Sequence, residues 1–152
     1  MIYCYTDGSA LGNGKKNARA GVGVWFSDND PRNISEPLTG VVQTNNRAEL
    51  TGIKRALEML NTSKSEDITI ASDSQYSINC VTKWIMKWKT SGWKTSKGKE
   101  VKNKDLIVSI DRLMGSFKHL QFMYVKAHTN KTDIHSIGNS QADKLAVQGA
   151  RR

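Results

Sequence analysis

Cysteine and proline are scarce in this chain, and long apolar runs are absent. Cys4 and Cys80 form no Cys-x-x-Cys motif and have no accompanying histidine pattern, which argues against a disulfide framework or a zinc site and predicts two buried, reduced thiols. No apolar stretch approaches the roughly 18 residues of a membrane helix, and the N-terminal residues lack the pattern of a signal peptide. We therefore expect an intracellular, soluble protein without a membrane partner, in either cytoplasm or nucleus.

Positive charge is what the chain has in excess. It carries 23 Lys and Arg against 14 Asp and Glu, a formal net charge of +9 over 152 residues. A chain of this length buries about 68–70% of its unfolded surface around one core, so we expect a single domain over residues 1–152. The charge is typical of a protein with a polyanionic partner, nucleic acid ahead of a membrane surface, although solubility alone explains it equally well.

The first third of the chain predicts three strands and a helix. Runs rich in β-branched and aromatic residues predict strands at Ile2–Thr6 and Ala20–Phe26, joined as a hairpin. Pro37–Thr44 predicts a third strand. Beyond it, apolar residues recur at helical spacing, and Asn45 or Asn46 is the predicted cap.

The rest of the chain alternates between strands and helices. A strand at Asp67–Ser72 follows a helical crossover, so we expect it to run parallel to the first strand. Helical patterns cover Ser74–Trp88 and Asn103–Phe117, a strand covers Leu120–Ala127, and a last helix begins near Asn139. This order predicts an α/β fold built on a mixed sheet.

Four acidic residues lie where elements begin or end. Asp7 and Asp73 close two strands predicted to be parallel neighbours, and the carboxyl ends of such strands share the rim where open α/β sheets bind ligands. Glu49 shares the apolar stripe of the first helix, where a carboxylate needs a partner, a proton or a metal ion. Asp143 is predicted in the first turn of the last helix. All four could therefore meet at one rim.

Each acid also has an ordinary explanation. Glu49 could complete a capping box begun by Asn46, Asp143 could complement a helix dipole, and Asp7 and Asp73 could be turn residues. Their joint placement favours a shared site of hard oxygen ligands, which suits Mg²⁺ or Mn²⁺. Two such ions about 3.5–4 Å apart could stabilise the attacking water and the leaving oxygen of a phosphodiester displacement.

Five short motifs follow one another along nearly the whole chain. They are Thr6–Ser9, Thr44–Leu50, Ser72–Tyr76, Val125–Thr129 and Gly138–Ala146. In order and spacing they resemble the successive motifs of type 1 ribonuclease H. The resemblance implies a ribonuclease H-like fold, with a five-stranded mixed sheet of three antiparallel and then two parallel strands between helices on both faces. It also implies a monomeric endonuclease that hydrolyses the RNA strand of RNA/DNA hybrids with two Mg²⁺ ions, or Mn²⁺ as a substitute, and leaves 5′-phosphate ends.

The resemblance assigns roles to single residues. The metal-binding and catalytic acids would be Asp7, Glu49, Asp73 and Asp143, none of which is substituted. His128 matches the family's histidine on a mobile loop near the site, where an imidazole suits proton handling or product departure. His119 and His135 match no motif and are expected to be structural.

Residues 83–104, which we call the basic protrusion, carry eight lysines, one acid and three of the four tryptophans. Lysines interleaved with aromatic rings suit nucleic-acid binding, although an amphipathic helix with its tryptophans in the core explains the spacing equally well. By the resemblance, Tyr76, Trp84 and Trp88 would line a channel for the DNA strand.

Further polar residues would contact the hybrid by the same resemblance. Thr44 and Asn103 would hold a DNA phosphate, in a pocket where Val42 replaces the arginine of some relatives. The candidates for sensing the RNA 2′-hydroxyl are Asn13, Asn45 and Asn46. Two alternatives stay open: a non-catalytic hybrid-binding module, and another nuclease on the same fold.

Overall fold

The structure is a computed structural model that describes residues 1–152 and contains five strands and five α-helices. The strands are β1 (Ile2–Leu11), β2 (Arg19–Trp25), β3 (Ile34–Pro37), β4 (Asp67–Ser72) and β5 (His119–Tyr124). The helices are α1 (Asn45–Met59), α2 (Gln75–Asn79), α3 (Ile85–Thr90), α4 (Lys104–Met114) and α5 (Ile134–Ala150). A π-helical turn, Cys80–Trp84, joins α2 to α3. None of these helices combines the length and the apolar character needed to span a bilayer.

The five strands form one mixed sheet in the order β3-β2-β1-β4-β5. β1, β2 and β3 pair antiparallel, as short hairpin connections require. β4 and β5 each follow a helical crossover and run parallel to β1, with Ser72 opposite both Thr6 and Tyr124. The predicted fold class, three antiparallel strands and then two parallel ones, is confirmed.

Helices cover both faces of the sheet. Successive side chains of β1 point to opposite faces, so each face has apolar side chains for a helix to bury. Cys4 joins the main core with α1 and α4, which contains Ile53, Leu57 and Ile107. Tyr5 points to the opposite face, where it packs with Ala142 of α5. Both cysteines are buried free thiols, as predicted.

α5 lies unusually close to the sheet because β2 presents glycine to it. A Cβ atom built on Gly23 would stand 2.6 Å from the backbone nitrogen of Ala146 and closer still to the carbonyl oxygen of Ala142. Real Cβ atoms essentially never approach backbone atoms so closely. Glycine at this position therefore sets the distance between α5 and β2.

Three strand boundaries differ from the prediction, and one of them is the end of β5, which is Tyr124 and not Ala127. The third strand is Ile34–Pro37, and the predicted strand at Pro37–Thr44 is wrong. Proline has no N–H for a ladder, so Pro37 ends the strand, and the loop after it is held by the Gln43 amide, which donates to the carbonyls of Leu38 and Gly40 at 2.9 Å each. β1 runs on to Leu11, beyond the predicted end, because β2 continues to pair with it.

Two helix starts also differ. α1 is capped by Thr44 and not by Asn45 or Asn46: the Thr44 hydroxyl accepts from the backbone N–H of Arg47 at 3.2 Å. α5 begins at Ile134, five residues before the predicted start, and its N-cap is Asp133. The prediction of a start near Asn139 is wrong.

Candidate active site

Three of the four predicted acids meet at the rim of the sheet. Asp7 follows the last parallel pair of β1, Asp73 follows the last residue of β4, and Glu49 reaches the same place from the sheet-facing side of α1. One carboxylate oxygen from each lies within 4.8 Å of the other two. Asp7 and Glu49 are only 4% and 5% exposed, and Asp73 is half-buried. We call these three residues the acid cluster.

Gly8 holds two of these carboxylates in place. Its backbone N–H donates to Asp7 Oδ1 at 2.9 Å and also to Glu49 Oε1. A Cβ atom at position 8 would lie 2.7 Å from the Cβ of Ala48, so only glycine lets α1 approach β1 this closely. The close approach brings Glu49 within reach of Asp7.

The carboxylates of the acid cluster repel one another. Burial raises the pKa of both Asp7 and Glu49, and repulsion from the neighbouring carboxylates raises them further. None of the six ion pairs in the chain involves an acid of this cluster. Buried carboxylates without a basic partner need a proton or a metal ion, and an all-oxygen set fits Mg²⁺ or Mn²⁺.

This repulsion predicts that Asp7→Asn stabilises the metal-free protein. Because folding raises the pKa of Asp7, the folded state holds a proton that the unfolded state releases above about pH 4, so this group's contribution to stability falls as pH rises. The variant should gain little over wild type near pH 4 and about 1–3 kcal/mol at pH 8 in EDTA. Chemical unfolding at several pH values measures the gain.

Asp28→Asn is the matched control, since Asp28 is an exposed acid outside the cluster. It should change stability by less than about 0.5 kcal/mol at every pH. Added Mg²⁺ should stabilise wild type more than Asp7→Asn. Equal behaviour of the two variants would mean that the cluster carries no excess repulsion.

Asp143 lies in the middle of α5, so the prediction of a first-turn position, with its helix-dipole explanation, is wrong. It stands outside the tight acid cluster but lines the same cavity of about 460 Å³. His128 lines this cavity as well, from the exposed loop that precedes α5, with a left-handed backbone at φ +52°. The structure therefore brings all five predicted catalytic residues to one cavity, which we call the acid cavity.

The capping-box explanation of Glu49 is wrong as well. With Thr44 as N-cap, the third helical position is Arg47, and Glu49 lies two residues further on. Asn45 and Asn46 are exposed on the first turn and line the acid cavity. The Asn45 backbone N–H donates to the side-chain oxygen of Asn13 at 3.0 Å, so the three predicted asparagines lie together.

A second cavity, of about 870 Å³, adjoins the first. Thr44 and Asn103 both line it, with the half-exposed Val42, as the resemblance implies. Asn103 has a left-handed backbone at φ +61°, and its side-chain amide donates to the Tyr76 hydroxyl at 3.3 Å. We call this the phosphate cavity, after the role that the resemblance implies for Thr44 and Asn103. Sequence reasoning gave no individual role to three further lining residues, Gly14, Arg47 and Lys102, although Lys102 belongs to the basic protrusion.

The predicted channel residues belong to a row of aromatic side chains. Tyr76, Trp84, Trp88 and Trp93 follow one another with ring centroids 6.0, 5.9 and 6.3 Å apart. Trp84 is 37% exposed, whereas Trp88 and Trp93 are partly buried against the main core. The surface explanation therefore describes Trp84, and the core explanation describes Trp88 and Trp93 in part.

Comparison with known proteins identifies the family. The family model described as RNase H matches residues 1–151. Ribonuclease H of Schizosaccharomyces pombe is 55% identical over 96% of this chain and 52% of its own length, and human ribonuclease H1 is 39% identical over 100% and 51%. Ribonuclease HI of Haemophilus ducreyi is 40% identical over 98% of this chain and 90% of its own. The chain thus spans about half the length of the first two relatives and most of the third.

Solved structures agree with the sequence relatives. The PFV RNase H domain superposes with a TM-score of 0.79 at 28% identity, covering 99% of this chain and 94% of that domain. A foamy viral protease-reverse transcriptase in complex with an RNA/DNA hybrid gives 0.79 at 26% identity, over 98% of this chain and 20% of that one. With its family match over residues 1–151 and its five-stranded fold, the chain belongs to the ribonuclease H family.

Proposed function

We propose that this chain is a metal-dependent endonuclease that hydrolyses the RNA strand of RNA/DNA hybrids and leaves 5′-phosphate ends. The observation that carries the proposal is the acid cluster, three carboxylates within 4.8 Å with no basic partner. If this protein of net charge +9 only bound nucleic acid, such a cluster beside its polar cavities would repel the phosphates and oppose binding. Family membership supports the same reaction.

Asp7, Glu49, Asp73 and Asp143 would hold two divalent ions, Mg²⁺ with Mn²⁺ as a substitute. When bound, such ions stabilise the attacking and leaving oxygens of an in-line phosphodiester displacement. Asp143 would bind from the α5 side of the acid cavity, opposite Glu49 of α1. His128, on its exposed loop, would move a proton or assist departure of the product.

The cavities beside the acid cluster would distinguish the two strands of the hybrid. Asn13, Asn45 and Asn46 offer both donors and acceptors, which sensing of a 2′-hydroxyl requires. Thr44 and Asn103 would hold a phosphate of the DNA strand in the phosphate cavity. The row formed by Tyr76, Trp84 and Trp88 would pack against the same strand, with lysines of the basic protrusion neutralising its phosphates.

Cleavage of an end-labelled RNA/DNA hybrid tests the reaction. With Mg²⁺ we expect several internal cuts in the RNA strand, each leaving a 5′-phosphate that a 5′-phosphate-dependent exonuclease can degrade. EDTA should abolish all of them. Tight hybrid binding by folded protein without any cleavage in Mg²⁺ or Mn²⁺ would instead support a non-catalytic binding module.

The basic protrusion should contribute affinity and not chemistry. Replacing Trp84 by Ala together with Lys83→Gln and Lys87→Gln should weaken hybrid binding and flatten its dependence on salt, by about 0.7–0.9 in the log–log slope for each phosphate that the protein no longer neutralises. Fluorescence anisotropy at several salt concentrations measures both. If affinity and slope match wild type, the protrusion is a structural feature only.

A further inference from the structure

A third cavity, of about 360 Å³, lies between the loop before α5 and α5 itself. Only one of its 12 lining residues is hydrophobic. It shares His128 and Asp143 with the acid cavity, so the two are direct neighbours. None of the residues proposed above to contact the bases, sugars or phosphates of the hybrid lines it.

The charge of this cavity is basic. Lys126, Lys131 and Lys144 line it, and none of the three takes part in an ion pair. Asp143 is the one acid among its lining residues. Three unpaired ammonium groups around a concave polar surface favour an anionic ligand. We call it the lysine cavity.

Asn139 gives an independent indication of a ligand. This residue is only 5% exposed and lines the lysine cavity, and its side-chain amide makes no hydrogen bond within the chain. Its amide atoms are nevertheless accessible, since the one fully buried side-chain polar atom without a partner is the Thr6 hydroxyl oxygen. The small accessible part of Asn139 therefore includes its unpartnered amide, which is free to bond to a ligand in the cavity that the residue lines. The Asn139 amide offers two N–H donors, which an anionic oxygen would accept.

The three cavities lie in a row across the rim of the sheet. The phosphate cavity shares Asn45, Asn46 and Tyr76 with the acid cavity, and the acid cavity shares His128 and Asp143 with the lysine cavity. The two outer cavities have no lining residue in common. A nucleic-acid strand carries about one phosphate per 3.4 Å of helix axis, so a strand crossing the acid cluster has further phosphates close by on either side.

We propose that the lysine cavity binds a backbone phosphate of the RNA strand next to the phosphate that is cleaved. Lys126, Lys131 and Lys144 neutralise its charge, and the Asn139 amide donates to its oxygens. The inference rests on the proposed function, since it takes the strand over the acid cluster to be RNA. It adds a subsite on the side of the acid cluster opposite the phosphate cavity.

The test compares Lys131→Gln/Lys144→Gln with Lys64→Gln/Lys118→Gln. The control pair removes the same charge from residues that line none of the three cavities. Hybrid binding is measured by anisotropy in EDTA, where nothing is cleaved. At 0.1 M salt the first variant should bind about fivefold to tenfold more weakly than the control, with a log–log salt slope shallower by about 0.7–0.9. Equal affinity and slope would overturn the proposal, provided both variants unfold at the wild-type temperature.

Neutral methylphosphonate linkages identify the strand. A hybrid with a neutral RNA strand should bind the two double variants equally, whereas a neutral DNA strand should preserve their difference. The reverse pattern would overturn the proposal. Because these measurements need no cleavage, they stay informative even if the chain proves to be inactive.

Inorganic phosphate separates a strand site from a site for the free ion. We expect phosphate to shift the NMR signals of the Asn139 side-chain amide in wild type, and the hybrid to shift the same signals. Shifts with phosphate alone, together with unchanged hybrid affinity in the lysine variant, would mean that the cavity takes the free ion, and the proposal would fail.

Discussion

Asp73→Asn should reduce hybrid cleavage by about three orders of magnitude or more while leaving hybrid affinity close to that of wild type. Asp73 contributes one of the three oxygens of the acid cluster, and an amide is a much weaker ligand for a hard cation. Losing the stabilisation that bound metal ions supply costs several kcal/mol of transition-state energy. Single-turnover cleavage and anisotropy measure the two quantities separately.

Asp67→Asn is the matched control for this variant. Asp67 is the exposed first residue of the same strand, at the end opposite the acid cluster. It should cleave the hybrid at the wild-type rate. Wild-type cleavage by Asp73→Asn would remove Asp73 from the metal site, and a large loss of affinity in that variant would show that its defect is not confined to chemistry.

Gly23→Ala should destabilise the fold by about 3 kcal/mol or more, which lowers the unfolding temperature by about 6–12 °C in a chain of this length. The new Cβ would overlap backbone atoms of Ala142 and Ala146, and backbone cannot rotate away as a side chain does. α5 would have to move off the sheet, carrying Asp143 with it. Thermal unfolding measures the loss, and cleavage at low temperature should fall as well.

Gly115→Ala provides the comparison. Gly115 follows α4 with φ −61°, and a Cβ there would meet only ordinary contacts at 3.5 Å or more. We expect a change within about 0.5 kcal/mol. If Gly23→Ala were as stable as Gly115→Ala, the close approach of α5 to β2 would not be a requirement of the fold.

The order of elements and the acid cluster could be predicted from sequence because both depend on local patterns. Strand and helix periods differ clearly along the chain, and a helical crossover makes β4 parallel to β1. Parallel neighbours then bring Asp7 and Asp73 to one rim without further information. Glu49 could be added because it shares the buried stripe of α1.

The boundaries could not be predicted because they depend on distant partners. Glycine weakens helices, so the local pattern favours a helix that starts after Gly138. In the structure Gly138 lies inside α5. Glycine occupies this position because the Tyr5 ring fills the space of a side chain: a Cβ atom here would lie only 2.5 Å from the ring. Because α5 begins after its Asp133 cap, five positions before Gly138, Asp143 lies in the middle of the helix and not in its first turn.

The lysine cavity could not be predicted from sequence patterns. Its lysines are separated along the chain: Lys126 and Lys131 lie in the loop between β5 and α5, and Lys144 lies in α5. The unpaired amide of Asn139 becomes noticeable only when its burial and its hydrogen bonds are known together. Only the fold brings these groups to one side of the acid cluster.

Substrate choice tests the central claim most directly. The measurement is the cleavage rate, in Mg²⁺, of one sequence presented as RNA/DNA hybrid, duplex RNA, single-stranded RNA and duplex DNA. A metal-dependent ribonuclease H predicts cutting of the RNA in the hybrid and at most weak cutting of the other three. Efficient cutting of duplex DNA would contradict this and indicate a different nuclease on the same fold.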